Sequence, residues 1–88
     1  MVTNTNVVAI ELGPCVQFGL AGYKLGFVKS GAKAAQNDTW TVKNASTVYI
    51  CSAHVDASGA VETVTFSTNV IVLTSGTATA CSALVLFK

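Results

Sequence analysis

Three residues in the middle of the chain have the side chains that hydrolytic chemistry uses. Ser52, His54 and Asp56 are spaced two apart, and alternate residues of a strand point to the same face of its sheet. A histidine oriented by a carboxylate could act as general base toward a serine hydroxyl. The same arrangement is typical of a solvated pair where a strand enters its loop. We favour that interpretation and predict no catalytic residue and no enzyme activity.

Metal and cofactor chemistry has little support in the sequence. His54 and Asp56 would supply two ligands, whereas a structural zinc site requires four. The other acids, Glu11, Asp38 and Glu62, stand far apart in the chain, and an acid dyad or a calcium loop needs carboxylates closer together. We therefore predict no metal site and no cofactor.

The glycine-rich segment 19–22 could suggest a phosphate-binding loop. It lacks the Lys-Ser/Thr pair and the following helix that such a loop requires. We predict a turn there.

The three cysteines, Cys15, Cys51 and Cys81, lie among apolar or small residues. An odd number argues against a closed disulfide framework, and no C-x-x-C pair is present. We interpret them as small buried hydrophobic residues. A single disulfide or a bridge between subunits remains an alternative.

The aromatic side chains allow two interpretations. Trp40, Tyr23, Phe27 and Tyr49 could form a platform on which a sugar or a base stacks. Aromatic residues on strands more often fill the core, and we favour a core position. The alternative function is a small β-sandwich binding module with an aromatic platform for a glycan or another ligand.

Composition limits the class of protein. The chain has 88 residues, of which 51% are hydrophobic and 10% charged, with a net charge of +1. Soluble domains usually carry about 25% charged residues. The hydrophobicity excludes a disordered chain, and the lack of clustered basic residues argues against a nucleic-acid partner. So few charges predict a surface packed against other chains, although a small soluble β-domain with a Thr-rich face is the alternative.

The elements that must position these residues are strands. Val, Thr, Ile, Phe and Tyr dominate, and apolar residues recur at every second position, as in half-buried strands. We predict a single all-β domain over residues 1–88, an antiparallel β-sandwich or barrel of seven to eight short strands. The predicted strands cover residues 8–12, 15–20, 23–28, 39–43, 47–55, 61–66, 70–74 and 77–87.

The loops have clear sequence signals. Residues 56–59 predict a hairpin loop, and 67–69 and 75–76 predict turns, because Asp, Ser, Asn and Gly favour turn conformations. Only residues 31–36 have helix-forming composition, sufficient for one helical turn. No segment approaches the ~18–20 apolar residues of a spanning helix, and the N-terminus lacks the features of a signal peptide. We therefore expect cytoplasmic synthesis and no membrane partner.

Several segments are apolar on both faces, which exceeds what one small core buries. These segments are 48–50, 70–73 and 83–87. We predict that some of their residues contact other chains. The predicted interface residues are Leu84, Val85, Leu86, Phe87, Val48 and Ile50.

The layout of the chain resembles a family of small viral proteins. The segments are NVVAIELGP at 6–14, VETVTFSTNVIVLT at 61–74 and LVLFK at 84–88. Together they are similar to the Thr/Ala/Val-rich all-β proteins that decorate or cement capsids of tailed phages and related viruses. The resemblance implies a β-sandwich or β-tulip module without enzyme activity, oligomeric around symmetry axes. Its partners would be copies of itself and a major capsid protein, at the virion surface.

Overall fold

The computed structural model of the chain describes residues 3–14, 22–76 and 78–88. The predicted strand 15–20, with Cys15, lies outside the described residues, as does most of the glycine turn 19–22. The all-β prediction is confirmed, and the described residues form nine short strands. The strands are β1 Asn4–Val7, β2 Ile10–Pro14, β3 Lys24–Gly31, β4 Asp38–Val42, β5 Val48–Val55, β6 Val61–Glu62, β7 Val64–Ser67, β8 Val70–Leu73 and β9 Cys81–Phe87.

The strands form two sheets in a sandwich-like arrangement. Sheet A has the order β1-β4-β8-β7, and sheet B has the order β2-β3-β9-β5-β6. All described pairings are antiparallel except that of β1 with β4, which is parallel. The sequence led us to expect antiparallel pairing throughout, because the connections are short. The chain forms one parallel pair because residues 8–37, including all of β2 and β3, intervene between β1 and β4.

Strand β4 shows why alternation produces this fold. Trp40 and Val42 are fully buried, and Thr39 and Thr41 are partly exposed, as the sequence predicts. Trp40 lies opposite Ile71 of β8, which is also fully buried. The indole Nε1 donates a hydrogen bond to the carbonyl of Ala32 at 2.9 Å. This bond satisfies the polar atom of the largest core residue.

The chain changes sheets at two corners. The predicted strand 8–12 overlaps only β2 of sheet B, because residues 8 and 9 connect it to β1 of sheet A, a strand that the sequence did not predict. Between them, the Asn44 amide accepts a hydrogen bond from the Ala9 N–H at 3.0 Å and donates one to the Ala9 carbonyl at 2.8 Å. At the second corner, the predicted strand 61–66 divides at Thr63 into β6 of sheet B and β7 of sheet A.

Other local differences come from bulges and loops. A register shift between Val48 and Ile50 leaves Tyr49 unpaired in β5. Val48 therefore points inward and Tyr49 outward, the reverse of simple alternation. Strand β9 begins at Cys81 rather than 77. No helical turn forms at 31–36, where β3 ends and a loop leads to β4. The loop at 56–59 is confirmed, with Gly59 at φ +74.

A buried ion pair connects the loop between β3 and β4 to the corner between β6 and β7. The Lys33 Nζ lies 3.3 Å from the Glu62 Oε1, and neither side chain is exposed to solvent. Lys33 also donates to the Ser75 carbonyl at 2.8 Å and to its hydroxyl at 3.0 Å. The Glu62 carboxylate accepts from the Ser75 hydroxyl at 2.6 Å and from its N–H at 3.0 Å. Each charge thus has several hydrogen-bond partners, as buried ions require.

A second carboxylate fastens the N-terminal strand. Asp38 accepts hydrogen bonds from the N–H groups of Thr3, Ala34 and Ala35 at 2.8, 2.7 and 3.0 Å. These hydrogen bonds, that from Thr3 first, hold the pKa of Asp38 below its ordinary value, against the opposing effect of burial. One side chain therefore closes the loop before β4 and fixes the start of β1.

Removing the buried cation is expected to destabilise the fold. Lys33→Met keeps the aliphatic stem but leaves the Glu62 carboxylate without its counter-charge. We expect the free energy of unfolding to fall by about 3–5 kcal/mol, measured by urea denaturation at neutral pH. Lys43→Met removes an exposed lysine and should change it by less than about 0.5 kcal/mol. Equal effects of the two variants would show that the ion pair contributes no stability.

The buried and hydrogen-bonded carboxylates predict a loss of stability in acid. Burial would raise the pKa of Glu62, but hydrogen bonds from Ser75 and the charge of Lys33 lower it below its ordinary 4.5. Because the pKa values of Glu62 and Asp38 are lower folded than unfolded, their stabilisation is complete above about pH 4.5 and declines as the pH falls through the folded values. Urea denaturation across this range should show the decline, and Asp38→Asn should reduce its slope. A stability constant down to pH 3 would contradict it.

Candidate functional site

The outward surfaces of the two sheets differ in chemistry. Sheet A presents mainly hydroxyl and amide side chains, with two partly exposed valines. At its β1 edge, the Asn4 Oδ1 accepts hydrogen bonds from the hydroxyls of Thr39 and Thr41 at 2.8 and 2.9 Å. The outward positions of sheet A, which we call the Thr/Asn face, are Asn4, Asn6, Thr39, Thr41, Thr65, Ser67, Val70 and Val72.

Sheet B presents aliphatic and aromatic side chains outward. In one row, Ile10 lies opposite Phe27 and Phe27 opposite Leu84. In the next row, Leu25 lies opposite Leu86 and Leu86 opposite Ile50. We call these six residues the apolar face.

Exposure varies across the apolar face, because Leu86 is only 9% exposed and three others are about half exposed. Ile10 is 56% exposed, Ile50 is 54% exposed and Leu84 is 47% exposed. Antiparallel sheets with one solvated face normally carry polar residues on it. Large contiguous apolar patches are uncommon on the surface of monomeric soluble proteins.

One end of the apolar face is polar. Asp56 accepts hydrogen bonds from the Ser82 hydroxyl at 2.5 Å and the Ser30 hydroxyl at 2.7 Å, and Ser82 in turn accepts from the Ser30 N–H at 3.0 Å. These hydrogen bonds, that from Ser82 first, hold the pKa of Asp56 below its ordinary value. The cluster joins the ends of β3, β9 and β5, and Lys29 lies beside it.

The structure does not assemble the Ser52–His54–Asp56 trio into a base and nucleophile. Among the described residues, no hydrogen bond joins His54 to Ser52 or to Asp56. The carboxylate of Asp56 binds two other hydroxyls, and His54 is exposed on the strand beside Ser82. The hydrogen bonds of Asp56 connect the ends of neighbouring strands and do not orient a histidine.

The described cysteines are poor nucleophiles. Cys51 is partly buried, Cys81 is buried, and both are free thiols. Burial raises the pKa of each thiol to about 11, and the Glu62 carboxylate adds to the effect at Cys81. Both are therefore protonated at neutral pH, and nucleophilic chemistry requires the thiolate.

The aromatic platform loses its main member to the core, since Trp40 is fully buried. Tyr23 and Tyr49 do meet at the surface, with ring centroids 5.4 Å apart and planes inclined by 57°. The Lys88 Nζ lies 5.6 Å from the Tyr23 ring. A tilted tyrosine pair beside a lysine offers no flat stacking surface.

The predicted interface residues divide between the core and the surface. Ile50 and Leu84 are exposed, whereas Leu86, in the row between Leu25 and Ile50, is only 9% exposed. Val85 and Phe87 are fully buried and Val48 nearly so. A partner that docks on the outer surface of the folded sheet would therefore contact Ile50 and Leu84 rather than Val48, Val85 or Phe87. Within the predicted strand 23–28, the spacing of Leu25 and Phe27 places them on one face, but it does not show whether that face points outward.

Comparisons with other proteins give no family. No family model matches the chain, no curated protein matches it, and no solved structure matches it. Within residues 3–14, 22–76 and 78–88 there is no pocket and no group of three metal-binding side chains. No helix in those residues is long and apolar enough to cross a membrane. The apolar face is thus the feature of the described surface that most needs a functional explanation.

The position of Trp40 gives a direct optical test. Its emission, excited selectively, should be blue-shifted in the native protein and resistant to iodide and acrylamide, because the ring is buried. Unfolding in urea should shift the emission to the red and make it fully quenchable. A red, readily quenched emission from the native protein would return Trp40 to the surface and restore the ligand-platform interpretation.

Proposed function

We propose that the protein is a structural subunit that works through contacts with other protein chains, and specifically a capsid decoration or cement subunit. The observation that supports this proposal is the apolar face of sheet B. Its residues come from four adjacent strands, with Ile10, Ile50 and Leu84 about half exposed. A partner surface that covers them removes this area from water, which is the main favourable term in protein association.

The partner class follows from the shape of the surface. A flat face without a pocket, in the described part of the chain, fits another protein surface better than a small molecule, because ligand sites are concave. Sheet edges add a second mode of contact, since strands such as β7 and β2 stand at the ends of their sheets and can pair with strands of a neighbour.

The narrower proposal, a subunit on a capsid, rests on the sequence. A composition of 10% charged residues fits a chain that is packed among others, and the layout resembles small all-β capsid decoration proteins. Under this proposal the partners are copies of the chain and a major capsid protein. The protein acts at the virion surface after cytoplasmic synthesis, without nucleic acid, membrane or cofactor. It stabilises a shell by bridging subunits and performs no enzymatic reaction.

Binding to shells tests the proposal. The genes beside that of this chain are expected to encode a major capsid protein, and empty shells of that protein are the probe. The wild-type protein should co-sediment with the shells at a fixed number of copies per shell and raise the temperature at which they disassemble. Leu84→Lys, which places a charge at the centre of the apolar face, should weaken co-sedimentation by at least about tenfold.

Thr65→Lys is the matched control. It adds the same charge at an exposed position of the Thr/Asn face and should bind shells as the wild-type does. Circular dichroism should show that all three proteins share the same strand content. Failure of the wild-type protein to sediment with the shells, or a genome neighbourhood without a capsid protein, would contradict the proposal.

A further inference from the structure

We propose that the apolar face of sheet B is covered by the same face of a second copy of this chain, in a two-fold symmetric dimer. This inference rests on the proposed function, in which the protein acts together with other chains, and it names one of those chains. The pairing would stack two sheets face to face, about 10 Å apart, as the sheets of a sandwich stack.

The area of the face suits a dimer. Four strands about 4.8 Å apart, each with about seven residues, span a surface of roughly 450 Å². The smallest specific interfaces bury about 600 Å² on each partner. Side chains at the rim supply the difference, because Leu12, Tyr49 and Val61 are each more than half exposed at the margins of the sheet. A second copy offers the same area in return.

The charge distribution allows the face to meet itself. A two-fold axis brings each surface against its own copy, so a charged centre would face a like charge. Among the described residues of β2, β3, β9 and β5, Lys29 is the lysine or acid that the register places on the outward face. It lies at the polar end of β3, beside Asp56. The centre, formed by Phe27, Leu84 and Leu86, is uncharged. The net charge of +1 adds little long-range repulsion between copies.

The Thr/Asn face then becomes the outer surface of the dimer on both sides. Its threonine and asparagine side chains can hydrogen-bond to water, and its edge is already organised by the Asn4 amide. The two sheets of one chain therefore have different roles. Sheet B joins the copies and sheet A faces solvent, which leaves the sheet edges, such as β2 and β7, for contact with a shell.

The oligomeric state and its response to single charges test the inference. Size-exclusion chromatography with light scattering should give twice the 9.0 kDa mass of the chain, and sedimentation over a dilution series should show reversible dissociation. Leu84→Lys and Ile50→Lys should each raise the dissociation constant by at least about tenfold. Thr65→Lys, on the opposite surface, should leave it unchanged. Both target residues are about half exposed in the monomer, so both variants should fold, which circular dichroism would verify.

Three outcomes would overturn the inference. These are a wild-type protein that stays monomeric throughout the dilution series, an oligomer larger than a dimer, and a dimer that neither Leu84→Lys nor Ile50→Lys weakens. The shell-binding assay separates this result from the proposed function. A monomer that binds shells would overturn the dimer and leave the decoration proposal standing. A dimer that ignores the shells would do the reverse.

Discussion

The buried ion pair between Lys33 and Glu62 is the interaction on which one end of the sandwich depends. It joins the loop before β4 to the corner where the chain passes from sheet B to sheet A, and Ser75 binds both charges. An isolated buried charge is costly, so the three groups must occupy these positions together. The pair therefore fixes how the two sheets meet, and that in turn decides which surfaces remain outside.

The outward surfaces of the two sheets differ in polarity. The Thr/Asn face resembles the solvated side of an ordinary antiparallel sheet, whereas the apolar face resembles the inner side of a sandwich that lacks its second layer. The same 10% of charged residues thus has a structural explanation. The charges are few because one whole sheet surface has none in its centre among the described residues, and two of the acids, Asp38 and Glu62, are buried in hydrogen-bond networks.

Period-2 alternation was sufficient to predict the all-β class and the inward positions of Trp40 and Val42, and turn-forming residues predicted the loop at 56–59. It failed where pairing departs from regularity. The bulge at Tyr49 reverses the side of the preceding residue, so that Val48 enters the core, and an alternating pattern contains no signal for an extra residue. The roles of Lys33 and Glu62 were also missed, because their partners lie far apart in the sequence.

By itself, the sequence determined that this is a small β-protein with more apolar surface than its own core can bury, because composition and alternation are local properties. The tertiary structure alone decided which apolar residues are surplus. In β9, Leu84 is about half exposed, whereas Val85 and Phe87 fill the core. A strand that is apolar on both sides has no preferred inward face until its neighbours are in place. The position of the apolar face therefore depends on sheet order and register, which are set by contacts between distant parts of the chain.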